Sequence, residues 1–281
     1  MTTPTLRDLR SDYHRALLSE VLTVSATGVA SNADSSSKPS KRIADGILAR
    51  IGSARVGDKV AGQTAGSSFE QITADFISRT FGALSHVRPG LFAVQKGGFI
   101  AGFQQYAHLD DLERIARQSQ EIATALGSDY LIKPDVVVFR TPVSDAEINA
   151  NGPFVDPDIA RLSGLRRFND PQPILHASIS CKWTLRSDRA QNARSEGLNL
   201  VRNRKGPLCH VTVATAEPLP SRIASLALGT GDIDCVYHFA LDELRDVLRE
   251  PGLEGYADTL DMMIEGKRLR DIADLPLDLA I

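Results

Sequence analysis

With 281 residues, 42% of them hydrophobic and 24% charged, the chain is long enough to bury a full core, and no apolar run approaches the length of a membrane span. Three isolated cysteines, Cys181, Cys209 and Cys235, with no Cys-x-x-Cys pair and no histidine at ligand spacing, argue against a disulfide framework or a zinc site and fit a reducing cytoplasm. The net charge of −3 argues against a polyanionic partner, but its distribution does not: seven basic residues between Lys182 and Lys205 face only Asp188 and Glu196, a local balance of +5 that leaves −8 for the rest.

The N-terminus, MTTPTLRDLRSDY, has charges where a signal peptide needs an apolar stretch. Residues 5–22 are predicted to form an amphipathic helix, and the polar loop SNADSSSKPS ends at a Ser40 cap for a short helix through Ile51. After the loop VGDKVAGQTAG comes a helix behind a Ser67 cap, with Phe69, Ile72, Phe76 and Ile77 at helical spacing. A further helix runs from about Asp110 to Gly127. YLIKPDVVVFR (130–140) reads as a strand covered on both faces, and PILHASISCKWTL (173–185) as an alternating strand; the segment 141–173 between them is loop-rich. A helix over 188–203, a strand LCHVTVATAE, a helix from Ser221, a strand around IDCVYHF and a helical C-terminal segment follow. Strands interleaved with helices predict an α/β fold, a central mixed sheet flanked by helices, in one domain spanning 1–281.

In the strand 174–185, alternation puts Ser178, Ser180 and Lys182 on one face and Ala177, Ile179 and Cys181 on the other. A lysine in so apolar a strand needs a partner, and Asp135 stands at the start of the preceding strand. Two readings fit this pair. One is a plain buried ion pair. The other is the arrangement of metal-dependent nucleases, in which the acid holds Mg²⁺ while the ammonium orients and deprotonates the attacking water or steadies the phosphorane charge.

The pattern Asp135…Ser180-x-Lys182 resembles the PD-(D/E)xK nuclease superfamily, with Ser180 where a second acid should stand. Glu196, on the helix SDRAQNARSEGLNLVRNR, is the replacement acid, and this migrated form is similar to the CCGG-cutting family of type II restriction endonucleases. The segments GVASNAD, GQTAG, FQQYAHL, LGSDY, RSDRAQNARSEGLNLVRNRKG, SRIASLALGTGDIDCVYHFAL and GKRLRDIADLPLDLAI carry the likeness along nearly the whole chain, least at the N-terminus, around 92–102 and in 141–173. The resemblance implies a restriction-endonuclease-like fold and cleavage of double-stranded DNA at GCCGGC after the first G. It also implies a homotetramer engaging two DNA copies and a companion DNA methyltransferase. At the site it implies Mg²⁺, two ions per active site, held by Asp135, Glu196 and the Cys181 carbonyl, with Lys182 positioning the nucleophile and Ser180 and Glu70 secondary.

The Arg-Ser-Asp-Arg run has its own chemistry. Guanine offers two major-groove acceptors to a forked arginine and cytosine offers an amino donor to a carboxylate, so Arg186 and Arg189 suit the two guanines of half a CCGG and Asp188 the cytosines. A helix cap at Ser187 or Asp188 fits the same residues. For the outer base pair the resemblance implies Ser36, Gln63 from the minor groove and Arg222 from the major groove. Ser67-x-x-Glu70 is also a capping box, which needs no catalytic role for Glu70. A structure-specific repair nuclease would share the catalytic residues but not need the arginine run; a DNA-binding module without activity would be expected to lack one of Asp135, Lys182 or Glu196. His176, His210 and Cys209 lie in apolar strands and read as core groups.

Overall fold

The computed structural model of the chain describes residues 4–57, 61–126, 132–229 and 231–281. Helix α1 (Leu6–Glu20) opens with a capping box between Thr5 and Asp8 and buries Leu9, Tyr13 and Leu17 along one face. Strand β1 (Thr23–Val24), α2 (Lys38–Ile51) and β2 (Arg55–Val56) follow, with β1 and β2 paired in parallel, and then the long helix α3 (Gly62–Gly82). Next come β3 (Phe92–Lys96), α4 (His108–Ala116), α5 (Gln120–Leu126), β4 (Val136–Arg140), α6 (Asp145–Ile148), β5 (Ile174–Lys182) and α7 (Ser187–Asn203). The chain ends with β6 (His210–Thr215), α8 (Pro220–Ala227), β7 (Cys235–His238), α9 (Leu241–Leu248), α10 (Glu254–Glu265), β8 (Leu269–Asp271) and α11 (Leu275–Asp278).

Strands β3 to β8 form one sheet in sequence order, antiparallel from β3 to β5 and parallel from β5 to β8. This is the mixed sheet flanked by helices that the alternation of elements predicts. The parallel neighbours are joined through α7, α8 and the α9–α10 pair, because a parallel step needs a crossover longer than a hairpin. Val136, Val137 and Val138 are fully buried, as a strand covered on both faces should be. The main core draws on residues from Leu9 to Leu279.

Several boundaries differ from the sequence expectation. Ser37, not Ser40, caps α2; the proline at the second helical position marks that start, and the Ser40 hydroxyl instead receives the Asp34 N–H. Helix α3 begins at Gly62, so Ser67 is no cap and forms no capping box with Glu70; its hydroxyl and carbonyl receive the Lys96 ammonium at 2.6 and 2.8 Å. The segment after Asp110 is two helices, not one, and its expected stop at Gly127, like Tyr130 and Leu131 of the expected strand, lies outside the described residues. Strand β4 starts only at Val136, β5 ends at Lys182, and β1, β2, β3 and β8 have no counterpart among the predicted strands.

One irregularity sets the phase of β5. The β4–β5 ladder pairs Val138 with Ala177 but Phe139 with Leu175, leaving His176 as a bulge. Leu175 consequently packs with Ile100, Tyr106 and Val137, while Ala177, Ile179 and Cys181 face the main core beside Phe69 and Ile72. His176 stacks on Phe81, meets Phe92 edge-on and bonds the Leu279 carbonyl at 2.7 Å, the hydrogen-bonded core role expected of it.

Register then gathers one end of the sheet. Lys96 pairs with Val136, Val136 with Ile179, Lys182 with Thr215, and Thr215 with His238. The end of β3, the start of β4 and the ends of β5, β6 and β7 therefore lie side by side.

Candidate active site

Asp135 precedes β4 and Lys182 ends β5, so antiparallel pairing brings them together: Lys182 Nζ lies 3.0 Å from Asp135 Oδ2. The Cys181 N–H, beyond the last β4 pair, donates to the same oxygen at 2.8 Å. Glu196 reaches the site from α7. Its Oε2 is 3.9 Å from Lys182 Nζ and accepts the Ser180 hydroxyl at 3.1 Å, while Asn192, one turn earlier on α7, donates to Oε1 at 2.8 Å. Ser180 Oγ is also 3.5 Å from Asp135 Oδ2. Asp135, Ser180, Lys182 and Glu196, chosen from the sequence, thus form one connected cluster, and Lys182 is both an ion-pair partner and the centre of a group of acids.

Glu70 faces this cluster from α3, 3.7 Å from Lys96. Burial disfavours the Lys182 ammonium, but Asp135 and Glu196 outweigh it and hold it above the ordinary lysine range. Burial, reinforced by the Asp135 charge, raises the Glu196 carboxyl despite the facing Lys182, and raises Glu70 in the same way. Three carboxylates against two ammoniums leave an excess of negative charge that a cation would relieve. The oxygen donors converging here are carboxylates and the Ser180 hydroxyl, and the Cys181 thiol points into the core with its ionisation suppressed by burial. This set suits a hard oxygen-seeking cation such as Mg²⁺.

Beside the cluster, α7 starts with Arg186 as its N-cap residue and no side-chain cap; Asp188 is exposed in the first turn, so it does not serve as the cap. Arg189 is tethered by Nη1 to Thr184 Oγ1 at 3.1 Å, and the start of α3, where Gln63 is exposed, lies close to its guanidinium. Asp34, Ser36, Arg186 and Arg222 line one cleft of about 820 Å³ between the α2 approach, α7 and α8. Asp34 Oδ1 accepts the Ser36 hydroxyl at 2.6 Å, and Oδ2 pairs with Arg222; these contacts hold the Asp34 carboxyl well below the usual range. The structure therefore brings Ser36, Arg186 and Arg222 into one cleft, and Gln63, Asp188 and Arg189 are not part of its lining.

Arg194, counted in the basic run, is not free to bind a partner. It pairs with Asp232 at 2.9 Å and donates to the Leu226 and Leu228 carbonyls at the end of α8. Sequence reasoning missed Lys96, Asn192 and Asp34. Asn192 was findable, four residues before Glu196 on one helix face; Asp34 and Lys96 carry no local signal.

A family model described as NgoMIV restriction enzyme matches residues 13–281. The type II restriction enzyme NgoMIV of Neisseria gonorrhoeae is 52% identical over 99% of this chain and 99% of its own length. Among solved structures, the type IIF restriction endonuclease Bse634I with cognate DNA has a TM-score of 0.36 at 12% identity, covering 74% of this chain and 79% of that one. The restriction endonuclease PspGI in complex with substrate DNA scores 0.28 at 13%, covering 98% and 92%; scores of this size carry no argument. The extent of the family match and of the identity shows that the chain belongs to the NgoMIV restriction enzyme family.

Proposed function

We propose that the protein is a type II restriction endonuclease making Mg²⁺-dependent double-strand cuts at GCCGGC after the first G, leaving four-base 5′-CCGG overhangs. The observation that carries this reading is the convergence of Asp135, Ser180, Lys182 and Glu196 at the sheet end, beside a cleft lined by Ser36, Arg186 and Arg222.

Asp135, Glu196 and the Cys181 carbonyl would hold Mg²⁺, two ions per site, which bound there supply Lewis-acid polarisation of the scissile phosphate and acidify water. Lys182, kept protonated by its two carboxylates, orients the attacking water and opposes the negative charge that builds on the phosphorus oxygens. Ser180 donates to Glu196 and steadies both acids; Glu70, balanced by Lys96, acts from the outer side. In-line attack gives a 5′ phosphate and a 3′ hydroxyl. Arg186 and Arg189 read the inner guanines and Asp188 the cytosines, while Ser36, Gln63 and Arg222 read the outer pair.

A single domain spanning 1–281 is supported by a core drawing on helices from α1 to α11. The exposed apolar side chains Phe154, Ile159, Leu162 and Phe168 in the 141–173 segment offer a surface for self-association, and a homotetramer engaging two DNA copies is the assembly we propose. No helix among the described residues is long and apolar enough to cross a membrane; a cytoplasmic location and a companion DNA methyltransferase complete the proposal. The test is to incubate purified protein with a plasmid carrying several GC-rich palindromes, with and without Mg²⁺, and sequence the ends. Metal-dependent 5′-CCGG ends confined to GCCGGC are expected; varied outer bases would remove Gln63 and Arg222 from the readers, and no cleavage would overturn the reading.

A further inference from the structure

Glu217 is a carboxylic acid with no accessible surface, placed between β6 and α8 and absent from the chemistry above. Its Oε2 accepts the Leu185 N–H at 2.8 Å, and Leu185 directly precedes Arg186. Its Oε1 accepts the Leu219 N–H at 3.2 Å, and Leu219 is the N-cap residue of α8, the helix that carries Arg222. The Arg222 guanidinium lies 3.8 Å from Oε1 and continues to Asp34, which in turn holds Ser36.

The Glu217 backbone is fixed as firmly. Its N–H donates to Thr215 Oγ1 at 3.2 Å, and that hydroxyl donates to the Lys182 carbonyl at 2.8 Å. Its carbonyl faces His238 Nε2 at 3.2 Å. Because the Ala240 N–H points at His238 Nδ1, and burial pushes this imidazole down to about 4, the ring is neutral and donates from Nε2.

Burial pushes the Glu217 carboxyl up to about 7, so a glutamine here would spare the fold a buried ionisable group. A glutamine, however, has one acceptor oxygen and one amide nitrogen that donates. It could not accept from Leu185 and Leu219 on opposite ends of the group as the carboxylate does.

We propose that Glu217 is a positioning residue that holds the segments bearing Arg186 and Arg222 in register with each other and with Lys182. It touches no DNA. It sets the spacing between an inner-pair reader, an outer-pair reader and the reacting centre, so that a duplex meeting both arginines also presents its phosphate to Lys182. The inference rests on the proposed cleavage of GCCGGC for its functional readout and on the structure alone for its contacts.

The experiment compares wild type, Glu217→Gln and Glu217→Asp as full-length proteins. Cleavage of oligonucleotide duplexes containing GCCGGC or ACCGGT with Mg²⁺ gives a ratio of kcat/KM values in which the fraction of folded enzyme cancels. The Gln variant is expected to lose about tenfold or more of that ratio, the effect of one charge-assisted hydrogen bond, and the Asp variant to recover part of it. Amide hydrogen exchange on the DNA-free proteins reads the same contacts without cleavage: the Leu185 and Leu219 amides should exchange faster in the Gln variant while the β5–β6 ladder stays protected. An unchanged ratio with unchanged exchange at these two amides overturns the assignment. Should wild type fail to cut GCCGGC, the proposed cleavage falls, and exchange alone decides the role of Glu217. Should the Gln variant fail to fold, the Asp variant carries both readouts.

Discussion

The two halves of the site are held in different ways. Asp135, Ser180 and Lys182 stand on or directly before adjacent strands, bonded to one another and to the Cys181 amide, with little freedom left. Of the reading groups, Arg186, Asp188 and Gln63 stand at helix starts, exposed to solvent, while Ser36, Arg189 and Arg222 are tied to Asp34 or Thr184 outside the sheet. A backbone ladder fixes reacting groups to the tolerance that bond-breaking requires. Recognition groups need the reverse: side chains that leave water for the edge of a base only when the right base is there.

The sharpest way to break this contrast is to remove the group on which the acids converge. Lys182→Ala should lower cleavage of GCCGGC by roughly 10²–10³-fold or more while gel-shift binding to the same duplex survives. Substantial residual cleavage would refute the role given to the ammonium.

A smaller effect concerns stability and comes from the residue that joins the halves. The Glu217 carboxyl lies near 7 in the folded chain against an ordinary 4.5. Its folded value is raised, so the native state binds the extra proton between these limits, and stability falls as pH rises through the window, by up to about 3 kcal/mol. Calorimetric Tm values should show wild type losing ground to Glu217→Gln between about pH 5 and pH 8. A constant difference between the two would contradict this.

Smallest are the effects on single base pairs. Arg186→Ala should cost about 1–3 kcal/mol of discrimination at an inner G·C pair, and Arg222→Ala a similar amount at the outer pair only. Competitive cleavage of duplexes altered at one pair separates them; loss at both pairs from either change would mean that the two arms are not distinct readers.

The reacting half was the more legible in sequence because its physics is local. A lysine in an alternating apolar strand demands a partner, and a Pro-Asp step at the start of the preceding strand offers one. The reading half depends on which loops meet, and nothing near Asp34 announces that it will hold Arg222. Gly62-Gln-Thr-Ala-Gly reads as a loop because glycine is a poor helix former, yet packing of Phe69, Ile72 and Phe76 extends α3 back through it. Strand β3 was hidden because five residues of modest hydrophobicity take their strand character from pairing with β4.

The His176 bulge has a consequence for how such a chain can change. In a regular ladder, adding or deleting one residue within the strand would turn every following side chain to the opposite face. Here β5 already contains a slip joint between its loop-facing end and its catalytic end, with pairing from Ala177 onward in a phase independent of Ile174 and Leu175. A one-residue change within Ile174–His176 can thus be absorbed at the bulge, leaving Ser180 and Lys182 aimed at Asp135.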